Sequence, residues 1–464
     1  MTLSFFNTLT RQIELFRPIQ AGHASLYACG PTVYNYAHIG NLRTYIFEDI
    51  LRRTLERFGF CVNHVMNITD VGHLESDADD GDDKMALASK REKKSPWDIA
   101  KYYEGAFFKD CEALNLERPI TVCRATDHIA EMQAMVQTLI DKDYAYVVDG
   151  NVYFRISKFK NYAKLSKRNL EDLLEGARVD IDERKESGLD FVLWFSQSKF
   201  PNQIMQWESP WGRGFPGWHI ECSAMASKYL GEHIDIHCGG VDHISVHHSN
   251  EIAQSEGCFG HQWVNTWMHS EFLVLDKGKM SKSSGFFLTL QSLENHGFEP
   301  LHYRYLCLGA HYRSQLFFSF EGLQAAKNAF ESLKNRVISW KLDPQKGNQP
   351  EKAADYLERF NQALANDLDM PIALSVLWEM VKDVNLGSKV QLDLITQFDQ
   401  VLGLGVDRFQ KVQLSPEHMA LVQEREQARA DKDWTKADIL RKALLAQGIC
   451  LKDSAAGTDW YLKY

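Results

Sequence analysis

The sequence lacks the features that mark a membrane-spanning or secreted protein. Among its 464 residues no apolar run approaches the ~20 residues needed to cross a bilayer. Arg11, Glu14 and Arg17 interrupt the apolar residues of the N-terminal stretch, so this stretch is not a signal peptide. The nine cysteines are odd in number and include no CxxC pair, which favours reduced thiols over a disulfide framework. We therefore expect a cytosolic protein without a membrane partner.

The sequence also lacks the positive charge of an indiscriminate nucleic-acid binder. Its formal net charge is −10, whereas such binding needs a broad positive surface. Any RNA would have to be held by local patches. One candidate patch is the stretch 158–168, where lysines and an arginine alternate with Phe159 and Tyr162. The alternative interpretation of this stretch is a solvated charged face.

Hydrophobic periodicity predicts an α/β protein that opens with a Rossmann-type parallel sheet. Ser25 to Ala28 has the pattern of a strand, a helix pattern follows from about Gly40, and Val62 to Ile68 is again strand-like. This strand–helix–strand order is typical of the start of a parallel α/β sheet. In such sheets the ligand binds at the carboxyl ends of the strands.

The length predicts two to four domains, because 464 residues exceed what one core usually organises. We predict a sheet domain over 1–315, with an insertion at about 121–215 and a loop rich in lysine and serine at 276–285. A mostly helical pattern follows, divided into a bundle over 316–400 and a further domain over 401–464. The acidic stretch Ser76 to Asp83 fails the spacing of a calcium-binding EF-hand and is interpreted as a solvated loop.

Residues suited to zinc are distributed over the predicted sheet domain. Cys29 ends the first strand, Cys222 lies in the run 218–222, and His247 and Glu251 share one face of a predicted helix. Two thiolates, an imidazole and a carboxylate can form a tetrahedral zinc site. From spacing alone, the competing ligands are Cys238, His243 and His248. A buried structural role for the cysteines is the alternative.

Two loops have the composition of phosphate-binding segments. His38 to Asn41 enters the first helix, where Gly40 lets the backbone approach a nucleotide and the helix N-terminus favours phosphate. Lys279 and Lys282 lie on a Gly/Ser-rich loop that can close over a triphosphate. Each pattern alone is weak, since a basic surface turn would also contain two lysines.

The order and wording of these segments resemble the class I aminoacyl-tRNA synthetases, and among them the cysteinyl-tRNA synthetase family. The resemblance covers essentially the whole chain, and the run around Cys222 is its most specific part. The segments that carry it are Cys29–Tyr34, His38–Asn41, Asn67–Asp70, Ser209–Gly212, Pro216–Met225, Asn250–Glu256, Lys279–Ser283 and Ala428–Asp438.

The resemblance implies a monomeric enzyme that ligates L-cysteine to cysteine tRNA through a cysteinyl-adenylate, with ATP and Mg²⁺ in the first step. It implies one zinc ion, which binds the substrate thiolate and is held by Cys29, Cys222, His247 and Glu251. It implies catalytic roles for His38, Asn41, Lys279 and Lys282.

The remaining roles that the resemblance implies concern substrate contacts. The residues expected to bind ATP are Gly30, His38, Gly40, Asn41, Gly240, Asp242, Lys279 and Lys282. The residues expected to line the cysteine pocket are Thr69, Trp218, His237 and Asp242. The bundle is expected to contact the tRNA stem. The domain over 401–464 is expected to read anticodon bases through Arg429, Asp438 and Asp453.

The chain departs from the usual sequence of the family at three places. Asn41 stands where the family usually has the second histidine of its nucleotide motif, so the phosphate contact there is altered. The stretches 241–246 and 368–371 also differ from the usual sequence of the family. Three rivals remain: a cysteine ligase of mycothiol synthesis, a zinc hydrolase that uses His243, His247 and Glu251, and a non-catalytic RNA-binding relative.

Overall fold

The structure is a computed structural model that describes most of the chain. The described residues are 2–72, 84–168, 184–196, 204–275, 278–279, 287–345, 349–411, 413–454 and 457–462. The predicted loop Ser76 to Asp83 and Lys282 therefore lie outside the described residues, and only the backbone of Lys279 is described. Among the helices that are described, none is long and apolar enough to span a membrane.

Sixteen strands are found in the described part of the chain. They are β1 (Ser4–Asn7), β2 (Gln12–Leu15), β3 (His23–Ala28), β4 (Cys61–Ile68), β5 (Thr121–Arg124), β6 (Ala145–Val148), β7 (Asn151–Phe154), β8 (Phe191–Phe195), β9 (Phe215–Pro216), β10 (Ile234–Gly240), β11 (Val264–Ser270), β12 (Leu273–Leu275), β13 (Gly278–Lys279), β14 (Leu316–Phe318), β15 (Ile449–Ser454) and β16 (Gly457–Leu462).

The same residues form fourteen α-helices. They are α1 (Ile39–Arg57), α2 (Lys84–Glu92), α3 (Pro96–Ala113), α4 (Ile129–Asp141), α5 (Trp218–Leu230), α6 (His247–Phe259), α7 (Leu290–Asn295), α8 (Pro300–Leu308), α9 (Phe320–Leu342), α10 (Pro350–Ala365), α11 (Met370–Lys382), α12 (Ser388–Leu402), α13 (Pro416–Ala430) and α14 (Trp434–Ala446).

The central sheet is parallel, which confirms the predicted fold class. Its strand order is β11-β10-β3-β4-β5, and the register pairs Leu26 of β3 with Ile236 on one side and His64 on the other. The chain therefore winds outward from β3 in both directions. Because ligands of such sheets bind where the strand order reverses, the crevice at the carboxyl ends of β3 and β10 is the expected binding site.

A second, antiparallel sheet of order β6-β7-β8-β9 lies between β5 and α5 in the sequence. The sequence analysis placed an insertion at about 121–215, but Thr121–Arg124 forms β5 and pairs with β4 in the central sheet. The antiparallel segment thus begins after β5. A strand of only four residues carries too little periodicity to be assigned to one sheet from sequence alone.

One hydrophobic core joins α1 and α3 to the helical bundle of α9 to α12. Ile46 and Ile50 of α1 belong to the same buried cluster as Phe330, Phe360 and Phe398 of the bundle. The rings of Phe360 and Phe398 stack with centroids 4.0 Å apart. The bundle therefore stabilises the helix that leads away from the sheet's ligand edge.

The last part of the chain has a small core of its own. Val422, Leu444, Ile449 and Leu451 form a separate buried cluster between α13, α14 and the β15–β16 hairpin. The hairpin accompanies the helices of this region, which is mostly helical as predicted. The sequence analysis began the last domain at 401, but the large core continues to Phe409, so packing changes only after that residue.

A buried arginine fastens the bundle to the sheet domain. Arg304 on α8 donates to the Asp49 carboxylate (2.6 Å) and to the carbonyl oxygens of Leu402 (2.7 Å) and Leu114 (3.0 Å). Both charged side chains are almost fully buried. Removing one partner of such a pair typically costs about 3–5 kcal/mol, because the other charge stays buried without compensation.

Another buried acid on α1 has a different environment. Glu48 lines a cavity of about 1010 Å³ between the sheet, α3 and the bundle. Among the described residues, neither of its carboxyl oxygens has a hydrogen-bond partner. Burial accordingly raises the pKa of Glu48 well above its ordinary value. The carboxyl group is then protonated in the folded protein at pH values where it is ionised in the unfolded chain.

We predict that Glu48→Gln stabilises the protein more at pH 8 than at pH 5.5. A raised folded-state pKa means that stability falls as the pH rises above the unfolded value of about 4.3 towards the folded value. The neutral amide removes this loss. Thermal unfolding of the two proteins at both pH values measures the effect. An equal shift at both pH values would contradict the argument.

Candidate active site

A cavity of about 280 Å³ opens at the carboxyl ends of β3 and β10, where the strand order reverses. Side chains from the β3–α1 loop, β4, α5 and the segment after β10 form its walls. The structure brings ten of the predicted site residues to this pocket: Cys29, Gly30, His38, Asn41, Thr69, Trp218, Cys222, Gly240, Asp242 and His247. Gly40 lies in the first turn of α1, between His38 and Asn41.

The four predicted metal ligands lie together at the floor of the pocket. One donor atom from each of Cys29, Cys222, His247 and Glu251 lies within 4.8 Å of the others, and all four residues are buried. The two Sγ atoms are 4.0 Å apart, and His247 Nε2 is 3.5 Å from Cys222 Sγ and 3.1 Å from Glu251 Oε1. Two thiols, an imidazole and a carboxylate form a donor set that suits Zn²⁺.

A second donor set overlaps the first. Cys29 and Glu251 also lie within 4.8 Å of ring nitrogens of His237 and His248. His248 Nε2 is 3.3 Å from Cys29 Sγ, while His237 Nε2 is 2.8 Å from Glu251 Oε2. The pocket lining includes Cys29, Cys222 and His247 but neither His237 nor His248. The set with His247 therefore faces the pocket, and His237 and His248 of the other set lie behind it.

His237 consequently occupies a different place from the one expected of a pocket wall. It is completely buried on β10, and its ring stacks against Trp267 with centroids 4.5 Å apart. Its nearest acidic neighbour is Glu251, whose carboxylate it fixes from the side away from the pocket. The residues assigned to the cysteine pocket that do line the cavity are Thr69, Trp218 and Asp242.

Burial controls the protonation of this cluster. Burial, followed by the neighbouring Cys222, raises the pKa of the Cys29 thiol well above its ordinary value. Burial and the surrounding imidazoles lower the pKa values of His248 and His269 far below theirs. The thiol and these two imidazoles are therefore neutral in the metal-free protein. A dication would favour the thiolate, so metal binding would release protons.

Two further histidines orient the rings of the cluster, and sequence reasoning missed both. His219 Nδ1 lies 2.8 Å from His247 Nδ1, and His269 Nε2 lies 2.8 Å from His248 Nδ1. Thr8 holds the other nitrogen of His269 at 2.7 Å. His269 follows the same rule as Cys29, since it lies near the carboxyl end of a strand adjacent to β10. A role for His269 at the site could have been inferred from this position near the strand end.

The chain just after β3 approaches β4 so closely that only glycine fits at position 30. A Cβ atom at Gly30 would lie 1.7 Å from the carbonyl oxygen of Asn67. The Asn67 side chain accepts the Gly30 N–H at 2.9 Å and donates to Thr69 Oγ1 at 3.1 Å. Thr69 in turn donates to Glu221 at 2.9 Å. These bonds fix the Thr69 side chain at the edge of the pocket.

His38 and Asn41 form the N-terminal cap of α1. The Asn41 N–H donates to His38 Nδ1 at 3.0 Å, and the His38 N–H points to Asn41 Oδ1 at 3.4 Å. Because Nδ1 accepts, the proton of the neutral imidazole is on Nε2. The residue pair thus acts as a capping box, with asparagine at the third helical position.

Apart from residues 278–279, the predicted lysine-serine loop at 276–285 lies outside the described residues. The backbone of Lys279 pairs with Val274 in the β12–β13 ladder, and Lys282 lies outside the described residues.

The three residues expected to contact tRNA lie in the C-terminal unit. Arg425 binds Asp453 through two bonds of 2.8 Å, and Arg429 forms an ion pair with the same carboxylate. This pairing, led by Arg425, lowers the pKa of Asp453 to about 2. Asp438 is exposed on α14.

We predict that Asn41→His preserves the stability of the protein. A histidine already closes a capping box in this chain, because the Glu299 N–H donates to His302 Nδ1 at 2.9 Å at the start of α8. Asn41→Leu, the matched control, should lower the free energy of unfolding by about 1 kcal/mol. Chemical denaturation measures both variants. A loss from Asn41→His as large as that from Asn41→Leu would contradict the interpretation.

Comparisons with known proteins show the family of the chain. Residues 15–328 match the family described as tRNA synthetases class I (C) catalytic domain, and residues 411–460 match the cysteinyl-tRNA ligase anticodon binding domain. The chain is 48% identical to a cysteine–tRNA ligase of Treponema denticola, covering 99% of both chains. It is 51% identical to cysteine–tRNA ligase 1 of Burkholderia lata, covering 98% of this chain and 96% of the relative.

Solved structures show the same fold at low sequence identity. A methionyl-tRNA synthetase of Mycobacterium tuberculosis, in complex with methionyl-adenylate, is 14% identical with a TM-score of 0.56, covering 82% of this chain and 88% of that one. A leucyl-tRNA synthetase of Agrobacterium radiobacter gives a TM-score of 0.56 at 11% identity, covering 84% and 85%. With the sequence matches over nearly its whole length, the chain belongs to the cysteine–tRNA ligase family of the class I tRNA synthetases.

Proposed function

We propose that this chain activates L-cysteine with ATP as cysteinyl-adenylate and transfers the cysteinyl group to cysteine tRNA in the cytosol, as a monomer with one zinc ion. The observation that carries the proposal is the donor set at the floor of the pocket. Family membership over nearly the whole chain supports the substrates. The match over 411–460 supports tRNA over the amino-sugar acceptor of related cysteine ligases.

Zinc fits the residues that are present. Cys29, Cys222, His247 and Glu251 would hold it, and three of them border the pocket. When bound there, zinc would supply a Lewis acid that prefers a soft thiolate to a hydroxyl group. This preference would separate cysteine from serine. A pocket without a metal separates near-isosteres only by roughly 10–200-fold.

A zinc hydrolase is the less favoured alternative. It would need His243 beside His247 and Glu251, and the donor groups found among the described residues do not include His243.

The pocket walls support a small polar substrate. The ring of Trp218 lies against that of His247 with centroids 4.5 Å apart and would close one side of the pocket. Asp242 is exposed on a 3-10 turn over Val241–Ile244, where it could bind the substrate ammonium or a ribose hydroxyl. Thr69 is fixed by its hydrogen bond to Glu221. His237 acts as a positioning residue, because it touches Glu251 and does not line the pocket.

In the proposed mechanism, catalysis depends on the positioning of the substrates and on the stabilisation of developing negative charge. No side-chain nucleophile is needed. The cysteine carboxylate attacks the ATP α-phosphorus while Mg²⁺ neutralises the phosphates. His38 Nε2–H is suited to donate to an α-phosphate oxygen as its charge grows. Gly30, Gly40 and Gly240 let the nucleotide approach the backbone. Lys279 and Lys282 would stabilise the departing pyrophosphate. The terminal ribose hydroxyl of the tRNA then attacks the carbonyl carbon of the adenylate, which forms the ester and releases AMP.

The C-terminal unit supplies the proposed anticodon contacts. Arg429, Asp438 and Asp453 present a guanidinium and two carboxylates, which suit the donors and acceptors of unstacked RNA bases. Asp453 is bound by the buried Arg425, so its carboxylate is held in one orientation. The bundle of α9 to α12 would contact the tRNA stem.

We predict that zinc binding requires His247 but does not require the adjacent His248 of α6. His247→Ala and Cys222→Ala should each lose the zinc. His248→Ala, the matched control, should keep it, because His248 lies behind the ligand set that faces the pocket. Elemental analysis after dialysis measures zinc, and thermal unfolding checks that each variant is folded. Loss of zinc from His248→Ala alone would assign the metal to the deeper set.

We predict cysteine-dependent exchange of pyrophosphate into ATP by the purified chain. Lys282→Ala should slow this exchange far more than it weakens cysteine binding, because the ammonium acts on charge that develops in the transition state. Exchange kinetics and equilibrium binding of cysteine separate the two effects. A wild-type chain without exchange would refute the proposed function, and equal losses would assign Lys282 to ground-state binding of ATP.

A further inference from the structure

Two exposed tyrosines lie at the mouth of the catalytic pocket. Tyr36, in the β3–α1 loop, is 41% exposed, and Tyr102, on α3, is 47% exposed. Their hydroxyl groups are hydrogen-bonded at 2.7 Å. Tyr36 lines the pocket that also contains Cys29 and His38, so the pair extends the pocket wall onto the surface. We call Tyr36 and Tyr102 the tyrosine platform.

The platform is held in place from below and from one side. The ring of buried Tyr103 lies 5.1 Å, centroid to centroid, from both Tyr36 and Tyr102. Arg91 donates to the Tyr103 hydroxyl at 3.2 Å and to the carbonyl oxygen of Tyr34 at 3.4 Å. Glu92 accepts from the same hydroxyl and pairs with Arg91. Two exposed aromatic rings are therefore kept in fixed orientations, although no core requires them there.

The surface around the platform is basic. Between residues 90 and 102, the exposed cations are Lys90, Arg91, Lys93, Lys94 and Lys101. Lys94 Nζ lies 4.6 Å from the centroid of the Tyr102 ring. Glu92 and Asp98 are the acids of the same stretch, and Asp98 is bonded to Ser95. The sequence before α2 is acidic, and it lies outside the described residues.

The stretch 158–168, the candidate RNA-binding patch in the sequence, is less suited to RNA. Lys158 pairs with Asp143 and Lys164 with Glu256, each at 2.5 Å, and Tyr162 is buried. Its central aromatic ring cannot stack on a base, and two of its cations are already paired. The two rings of the tyrosine platform, in contrast, are exposed.

We propose that the tyrosine platform stacks bases of the single-stranded 3′ end of tRNA where that end enters the catalytic pocket. Single strands bind where cations follow the backbone and aromatic rings stack on the bases. The partner chemistry is that of an unpaired RNA end, because a duplex would hide its base faces. The proposal rests on the proposed function, which brings the terminal ribose of a tRNA into this pocket.

The test compares two RNAs on four proteins. The RNAs are cysteine tRNA and the same tRNA without its three 3′-terminal nucleotides. The proteins are wild type, Tyr102→Ala, Tyr102→Phe and Trp97→Ala. Trp97 is a matched control, since it is 49% exposed on the same helix. It lies five residues before Tyr102, about 140° away around the helix axis.

We predict that Tyr102→Ala weakens the binding of intact tRNA by about tenfold, the loss expected for one base–aromatic stack. The truncated tRNA should bind wild type and Tyr102→Ala with the same affinity within about twofold. Tyr102→Phe and Trp97→Ala should stay within about twofold of wild type on intact tRNA. The phenylalanine variant keeps the ring and loses only the bond to Tyr36.

Three outcomes would refute the proposed role of the tyrosine platform. The first is an equal loss on both RNAs, which would indicate a general effect of the surface. The second is wild-type binding by Tyr102→Ala. The third is a Tyr102→Phe variant as weak as Tyr102→Ala, which would assign the role to the hydroxyl group. Cysteine-dependent pyrophosphate exchange without RNA, measured on the same preparations, tests the proposed function separately.

Discussion

A carboxylate remains stable inside a protein only when other groups compensate its charge or its lost hydration, and Glu251 is completely buried. His237 on β10 contacts one of its oxygens, and His247 on α6 contacts the other. Cys29, from the end of β3, lies next to the same group. The reversal of strand order between β3 and β10 makes this convergence possible. Sheet order, helix placement and proposed metal site are therefore consequences of one packing arrangement.

The central sheet could be predicted from the sequence because its strands and first helix have clear periodicities. The four ligands could be proposed because α6 places His247 and Glu251 on one face and the resemblance selected the two cysteines. The position of His237 behind Glu251 could not be foreseen, because strand alternation does not say which face meets a ligand. The boundary after Phe409 was also unpredictable, since the apolar residues beyond α12 do not reveal which core they enter.

The N-terminus and the middle of α1 make different contacts. Its N-terminus carries the cap formed by His38 and Asn41, whereas Asp49 in its middle accepts from Arg304 of α8. Arg304 also contacts the end of α12 through the carbonyl oxygen of Leu402. One helix thus connects the pocket, the sheet and the bundle. A substitution at Asp49 or Arg304 would act on the pocket through helix position, without touching any substrate.

The separate core of the C-terminal unit has a consequence for how such a chain can change over evolutionary time. The large core ends at Phe409, and among the described residues the small cluster around Val422 and Leu444 shares no buried apolar side chain with it. A genetic exchange at the junction near Ser415 would therefore leave the half with the proposed nucleotide and metal sites intact. Acceptor recognition can diverge by replacement of a module, while the chemistry of activation is inherited unchanged.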